Sequence, residues 1–168
     1  TGLIWSGFRP SDDSCVYGYL IPSNMFAVVV LGYLAEIANQ VLGDEALAAE
    51  AEAFRMEVKE AIETLAVVKN EYYGRIYAYE TDGYGQFLLM DDANVPSLLS
   101  MEYLGYDGDR EVMENTRRFI LSEGNPYYFK GKAAGGIGSP HVPPYYIWHI
   151  GLAVQGMTES SKEEKLRI

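Results

Sequence analysis

The sequence predicts an all-α chain, part of an α/α toroid, with one small β-hairpin inserted. Two observations carry this expectation. An apolar helix is followed across a short turn by an amphipathic one, and long aromatic-rich loops separate the helical pairs. No short fixed-period repeat appears, so a regular solenoid is not expected. Six helical hairpins with helices of about 12 residues need roughly twice the 168 residues present. The expected architecture is half a ring, residues 1–168 forming one partial domain that is apparently truncated and exposes apolar helix faces. Those faces could support self-association.

The elements follow in order. After an opening loop, Pro22-Ser23-Asn24 supplies helix-start chemistry, and Met25–Leu42 reads as a largely buried helix that Gly43 stops. Asp44 should cap a second helix from Glu45 to about Val68. Its Leu47, Ala51, Phe54, Val58, Ile62 and Leu65 recur at helical spacing. From Tyr72 to Leu89 the pattern changes: Ile76, Ala78 and Glu80 alternate with Tyr77 and Tyr79, and Thr81-Asp82-Gly83 signals a turn. A β-hairpin or extended loop is expected there. Asn94 should cap a short helix with Pro96 in its first turn, ending near Tyr103 and closed by Leu104–Gly108. Asp109 opens a helix to about Ser122. The stretch from Glu123 to Pro144 reads as a long irregular loop, and loops of that length usually carry function. Tyr145–Met157 reads as an apolar helix, and Thr158 or Ser160 caps a last polar one, Ser160 and Glu163 having capping-box spacing.

Composition excludes several classes. Thirteen basic against 24 acidic residues give a net charge of −11, and the basic residues are scattered, so neither nucleic acid nor an anionic membrane is an expected partner. The apolar run Met25–Leu34 falls short of the roughly 18 to 20 residues of a membrane span, being interrupted by Glu36, Asn39 and Gln40. No signal segment is visible, a pattern compatible with the cytoplasm. Cys15 stands alone and reads as a small buried hydrophobe. Fourteen tyrosines, several in loops, suit sugar recognition: a ring face with a hydroxyl.

Three loops of similar character concentrate the chemistry. Trp5 to Asp13 places Arg9 and the pair Asp12-Asp13 among aromatic residues. Met90-Asp91-Asp92-Ala93-Asn94-Val95-Pro96 repeats the acidic pair, and Asn125 to His141 brings Lys130, Lys132 and His141. In a ring of hairpins such loops converge on one open end. The glycines of Phe129–Gly138 lack the spacing of a phosphate loop, and no strand precedes them, so no nucleotide site is expected. Paired acids have two sharper readings. Asp-rich motifs in all-α prenyl-diphosphate enzymes hold Mg²⁺, but here neither pair is followed by a third carboxylate. In glycosidases one carboxylic acid protonates the leaving oxygen while another carboxylate activates water. Adjacent acids repel when both ionise, which keeps a proton on one, and Arg9 could hold the other ionised. The glycosidase reading fits better, and it calls for no metal or cofactor. A carbohydrate-binding or structural helical fragment without catalysis is the other class.

The motifs Ser6-Gly7-Phe8-Arg9-Pro10-Ser11-Asp12-Asp13, Leu20-Ile21-Pro22-Ser23-Asn24-Met25-Phe26-Ala27-Val28, Leu89–Leu99 and Gly136-Ile137-Gly138-Ser139-Pro140-His141 resemble glycoside hydrolase family 125. The resemblance runs from about Leu3 to about Trp148. It implies metal-independent exo-α-1,6-mannosidases on an (α/α)6 barrel, acting with inversion on mannose-containing oligosaccharides. It places the general acid on Asp12 or Asp13, without separating them. Arg9, Ser11, Asp91, Asp92, Asn94, Lys132 and His141 are the expected sugar-site residues, one of Asp91 and Asp92 serving also as a helix cap. His149, on an apolar helix, is expected in the core. The general base of the family belongs to a motif nearer the C-terminus that is not found before Ile168, so the chain as given is expected to lack full activity.

Overall fold

The computed structural model describes residues 1–166 and 168. Helices dominate, but the β content exceeds one hairpin. Seven short strands form three small sheets among the described residues: β1 (Tyr19–Leu20), β4 (Glu80–Thr81) and β5 (Phe87–Leu88) in one, β2 (Val67–Asn70) with β3 (Gly74–Tyr77), and β6 (Tyr128–Lys130) with β7 (Gly135–Ile137). All pairings are antiparallel.

Strand β1 runs directly into helix α1 (Ile21–Ile37), which continues as a wider π-helical turn, Ala38–Leu42. The helix therefore starts a turn earlier than expected, with Pro22 in its first turn and no side-chain cap. Asn24 is not a cap. Its side chain accepts from the Ile4 amide at 2.7 Å and donates to the Ile4 carbonyl at 3.0 Å and the Leu20 carbonyl at 2.9 Å. It pins the opening segment to the helix. Gly43 ends the run in the left-handed conformation, φ 65°. Asp44 then caps α2 (Glu45–Leu65) by accepting from the Leu47 amide.

Helix α2 stops at Leu65 rather than Val68, because Val67 and Val68 pair with Tyr77 and Ile76 across the β2–β3 hairpin. Two β-branched residues facing a partner strand outweigh the helical tendency of the segment before them. Helices α1 and α2 pack along each other, and α4 (Arg110–Ile120) lies on β3. Ile21, Met25 and Val28 meet Val58, Ile62, Ile76, Tyr77, Leu98 and Ile120 in one core. The phenol of Tyr77 and that of Tyr106 both donate to Glu63, at 2.6 and 2.9 Å, tying α2 to the chain ahead of α4.

Two expectations about α1 change. It is not largely buried, since Val30, Tyr33, Leu34, Ile37, Val41 and Leu42 are exposed. Beginning at Ile21 also makes the run to Leu42 long and apolar enough, by length and composition, to cross a membrane. Its first turns, however, belong to the core through Ile21, Met25 and Val28.

The expected helix from Asn94 to Tyr103 is reduced to α3 (Met101–Leu104). The segment before it is held in turns by the Asp91 carboxylate, which accepts from the Leu98 and Leu99 amides at 2.8 and 3.0 Å. The Val95–Pro96 bond is cis. Gly105 closes α3 at φ 91°, and Asp109 caps α4 through the Glu111 and Val112 amides. The long loop from Glu123 is not wholly irregular, since it contains the β6–β7 hairpin. Helix α5 (His149–Thr158) starts four residues later than expected, and His149 is exposed at its first position instead of in the core. The last helix, α6 (Lys162–Lys165), is capped by Ser161 accepting from the Glu164 amide, and not by the expected Thr158 or Ser160.

Candidate active site

The acid-bearing loop is a closed finger. Its base is joined where the Ser6 amide donates to the Gly18 carbonyl at 2.8 Å and the Cys15 amide to the Gly7 carbonyl at 3.0 Å. Nearer the tip, the Arg9 amide donates to the Asp13 carbonyl at 2.8 Å and the Asp12 amide to the Arg9 carbonyl at 3.0 Å. Asp12 turns the tip at φ 71° and is exposed. Asp is one of the few residues besides Gly that adopts this conformation readily. At the base, Trp5 lies against Gly18, where any added Cβ would collide with the indole.

Asp13 stands half-buried beside the tip. Its Oδ2 accepts from the Ser11 hydroxyl at 2.9 Å, and its Oδ1 lies 3.3 Å from Nδ1 of His141. With the proton on Nδ1, the imidazole donates to the carboxylate. The Ser-Asp-Asp motif and the His141 loop, far apart in sequence, therefore meet.

The second acidic pair reaches the same place from behind. Asp92 is fully buried. Its Oδ1 accepts from the Asn94 amide at 3.0 Å and the Asn94 side-chain amide at 2.7 Å. Its Oδ2 accepts from the Ser139 hydroxyl at 3.1 Å, and the Ser139 oxygen in turn accepts from the His141 amide at 3.1 Å. The Ala93 amide donates to the Gly138 carbonyl at 3.0 Å. Asn125, also buried, accepts from the Asp91 and Tyr127 amides at 3.2 and 3.1 Å. Thus all three loops converge, and a chain of hydrogen bonds leads from Asp92 through Ser139 to His141 and Asp13.

Several expected sugar-site residues take other positions. Arg9 neither faces solvent nor pairs with an acid of its own loop. It is buried, its Nε 2.6 Å from Oε1 of Glu80, with the guanidinium 5.6 Å from the Tyr79 ring centre. Asp91 is fully buried, and burial pushes its carboxyl up to about 8 against the pull of the Leu98 and Leu99 amides. A carboxyl group with both oxygens on backbone amides and no exposed surface organises the turn. Asp92 acts through Asn94 and Ser139. Lys132 is exposed at the turn of the β6–β7 hairpin, and no hydrogen bond among the described residues joins it to the cluster. Asp12, Asp13, Asn94 and His141 keep accessible surface in this cluster, and Ser11 lies buried behind Asp13. Beside them lies an open cleft walled by Asn94, Val142, Tyr146, Ile147 and Trp148. Among the described residues, no group of three His, Cys, Asp or Glu side chains gathers as a metal site would require.

Two participants were not singled out from the sequence. Glu80 lies in an unbroken run of fully buried residues, Ile76 to Thr81, where a lone carboxylate signals a buried partner. Ser139 gives no local signal beyond its place next to Pro140 and His141.

The family described as metal-independent α-mannosidase (GH125) matches residues 1–168. The chain is 47% identical over 164 residues to the meiotically up-regulated gene 157 protein of Schizosaccharomyces pombe, covering 96% of this chain and 32% of that protein. It superposes with a TM-score of 0.94 and 50% identity on a Streptococcus pneumoniae chain described among metal-independent α-mannosidases, in a non-productive substrate complex with α-1,6-mannobiose. That match covers 99% of this chain and 40% of the other. The chain thus spans 32% and 40% of the length of these two relatives. With family 125 matched from the first residue to the last, the chain belongs to glycoside hydrolase family 125.

Proposed function

We propose that this chain carries the general acid of an inverting exo-α-1,6-mannosidase. The enzyme would remove terminal mannose from mannosides or N-glycan-type oligosaccharides. The observation that supports this reading most is the position of Asp13. It is the one acid of the finger held from two sides, by Ser11 and by His141 from another loop. A general acid must present its proton at a fixed place, and a preorganised carboxyl does so at little entropic cost. Asp12, exposed at the tip, is the second candidate and would bind sugar hydroxyls in this reading. His141 and Asn94 would hold further hydroxyls, while the Tyr146 and Trp148 wall offers rings for a sugar face. Leaving-group protonation would proceed from Asp13 to the glycosidic oxygen as the C1–O bond breaks. Inversion needs a second carboxylate about 6.5 to 9.5 Å away to activate water; the reading leaves that base to sequence beyond these 168 residues. The uncovered apolar stripe of α1 supports an (α/α)6 barrel in which further hairpins pack on Val30, Leu34 and Ile37.

Asparagine substitutions at the two acids of the full-length protein test the assignment. Asp13→Asn should lower turnover of α-1,6-mannobiose by about 10²- to 10⁴-fold, and Asp12→Asn should act mainly on KM. Full activity of Asp13→Asn would overturn it.

A further inference from the structure

Glu80 sits at the middle of the three-stranded sheet, its backbone paired with Leu20 on one side and Leu88 on the other. Its side chain has no exposed surface. Oε1 accepts from Nε of Arg9 at 2.6 Å, and Oε2 accepts from the amides of Val16 and Tyr17 at 2.7 and 2.8 Å. Arg9 lies on the outgoing arm of the finger, Val16 and Tyr17 on the returning arm. One carboxylate therefore clasps both arms, and Ser11, Asp12 and Asp13 project beyond the clasp. The support is rigid, because β1 continues directly into α1 and Arg9 lies over the Tyr79 ring. The interactions are charge-assisted, and the Arg9 pair is buried, which makes them strong and directional.

We infer that Glu80 is a positioning residue for the proton-donating loop: through Arg9, Val16 and Tyr17 it fixes where Asp13 stands relative to the glycosidic oxygen. This role rests on Asp13 being the general acid. Being fully buried, Glu80 does not touch the sugar. Its amide analogue would keep the volume but offer an NH₂ group where Arg9 or the two backbone amides need an acceptor. The finger would then relax on one arm.

A misplaced acid has a kinetic signature that general loss of structure lacks. Departure of a sugar alcohol needs a proton, whereas departure of 2,4-dinitrophenolate does not. In the full-length protein, Glu80→Gln should lower kcat for α-1,6-mannobiose by about 30-fold or more while changing it less than about threefold for 2,4-dinitrophenyl α-mannoside. Glu80→Asp, which keeps the charge and retracts it by one methylene, should show a smaller loss with the same selectivity, and it covers the case in which the glutamine variant does not fold. Equal losses on both substrates, or no loss on either, would overturn the positioning role. Asp13→Asn measured alongside separates the two claims. If it keeps mannobiose turnover, the acid assignment fails. If it shows the selective loss and the folded Glu80 variants do not, the positioning role alone fails.

Discussion

His141 and Asp13 meet across 128 residues of chain, Nδ1 of one 3.3 Å from Oδ1 of the other. The contact is partly exposed, the side chains retaining 49% and 31% of their accessible surface. Water screens such a pair, so its worth lies in geometry more than in stability. Behind it, Ser139 and Asp92 fix the His141 backbone, and Ser11 fixes the other carboxylate oxygen.

Removing the imidazole should therefore separate activity from stability. His141→Ala is expected to lower kcat for α-1,6-mannobiose about tenfold while changing the unfolding free energy by less than about 1 kcal/mol. Steady-state kinetics and urea unfolding on the same preparation check both halves. A large stability loss with unchanged kcat would make His141 a loop anchor only.

The Arg9–Glu80 pair behaves oppositely, because both partners are buried. Arg9→Ala leaves the Glu80 carboxylate in the core with only two backbone amides, and should cost about 3 to 5 kcal/mol. Replacing Arg9 and Glu80 together by Met and Leu should cost less than the sum of the single changes, because no unpaired charge remains. A double-mutant cycle in urea measures this coupling, and additive losses would contradict it.

Asp91 gives a pH dependence whose sign can be fixed. Its folded pKa, about 8, lies above the ordinary 3.8, so the folded state binds the proton more tightly than the unfolded one. The stability this group contributes is present at low pH and is lost as pH rises from about 4 through about 8. Wild-type protein should therefore lose stability relative to Asp91→Asn between pH 5 and pH 8 in chemical unfolding. A gap that stays constant over that range would show that Asp91 remains ionised throughout.

Cys15 should be a poor nucleophile. Burial pushes its thiol up to about 11, with the Glu80 charge adding to the effect and Arg9 opposing it. At pH 8 native protein should react with iodoacetamide at least about tenfold more slowly than the same protein in urea. Cys15 is half-buried, less enclosed than its sequence suggests, and equal rates would contradict the raised thiol.

What was legible from the sequence is the chemistry that acts over a few residues. Gly43 and Gly105 end helices in the left-handed conformation, and Asp44 and Asp109 begin them through side-chain caps. What was not legible depends on partners distant in the chain. Asn24 has the local context of a cap, but Ile4 claims its side chain 20 residues away. Asn94 has the local signature of a helix start, but Asp91 captures the Leu98 and Leu99 amides and folds the segment into turns. Arg9 reads as a sugar ligand from its own loop, because its partner, Glu80, lies 71 residues on. The convergence of the Asp12-Asp13, Asp91-Asp92 and His141 loops follows from the pattern of long loops between helical pairs. Which of their side chains would face outward was not, because burial is decided by the sheet and core behind them.

Proton NMR of the full-length protein acting on the methyl glycoside of α-1,6-mannobiose, whose cleaved unit is the only source of free mannose, with EDTA present, tests the proposed activity most directly. Early appearance of β-mannose, at a rate unchanged by EDTA, is the expected result. Early α-mannose would contradict inversion, and no release of mannose at all would contradict the mannosidase reading.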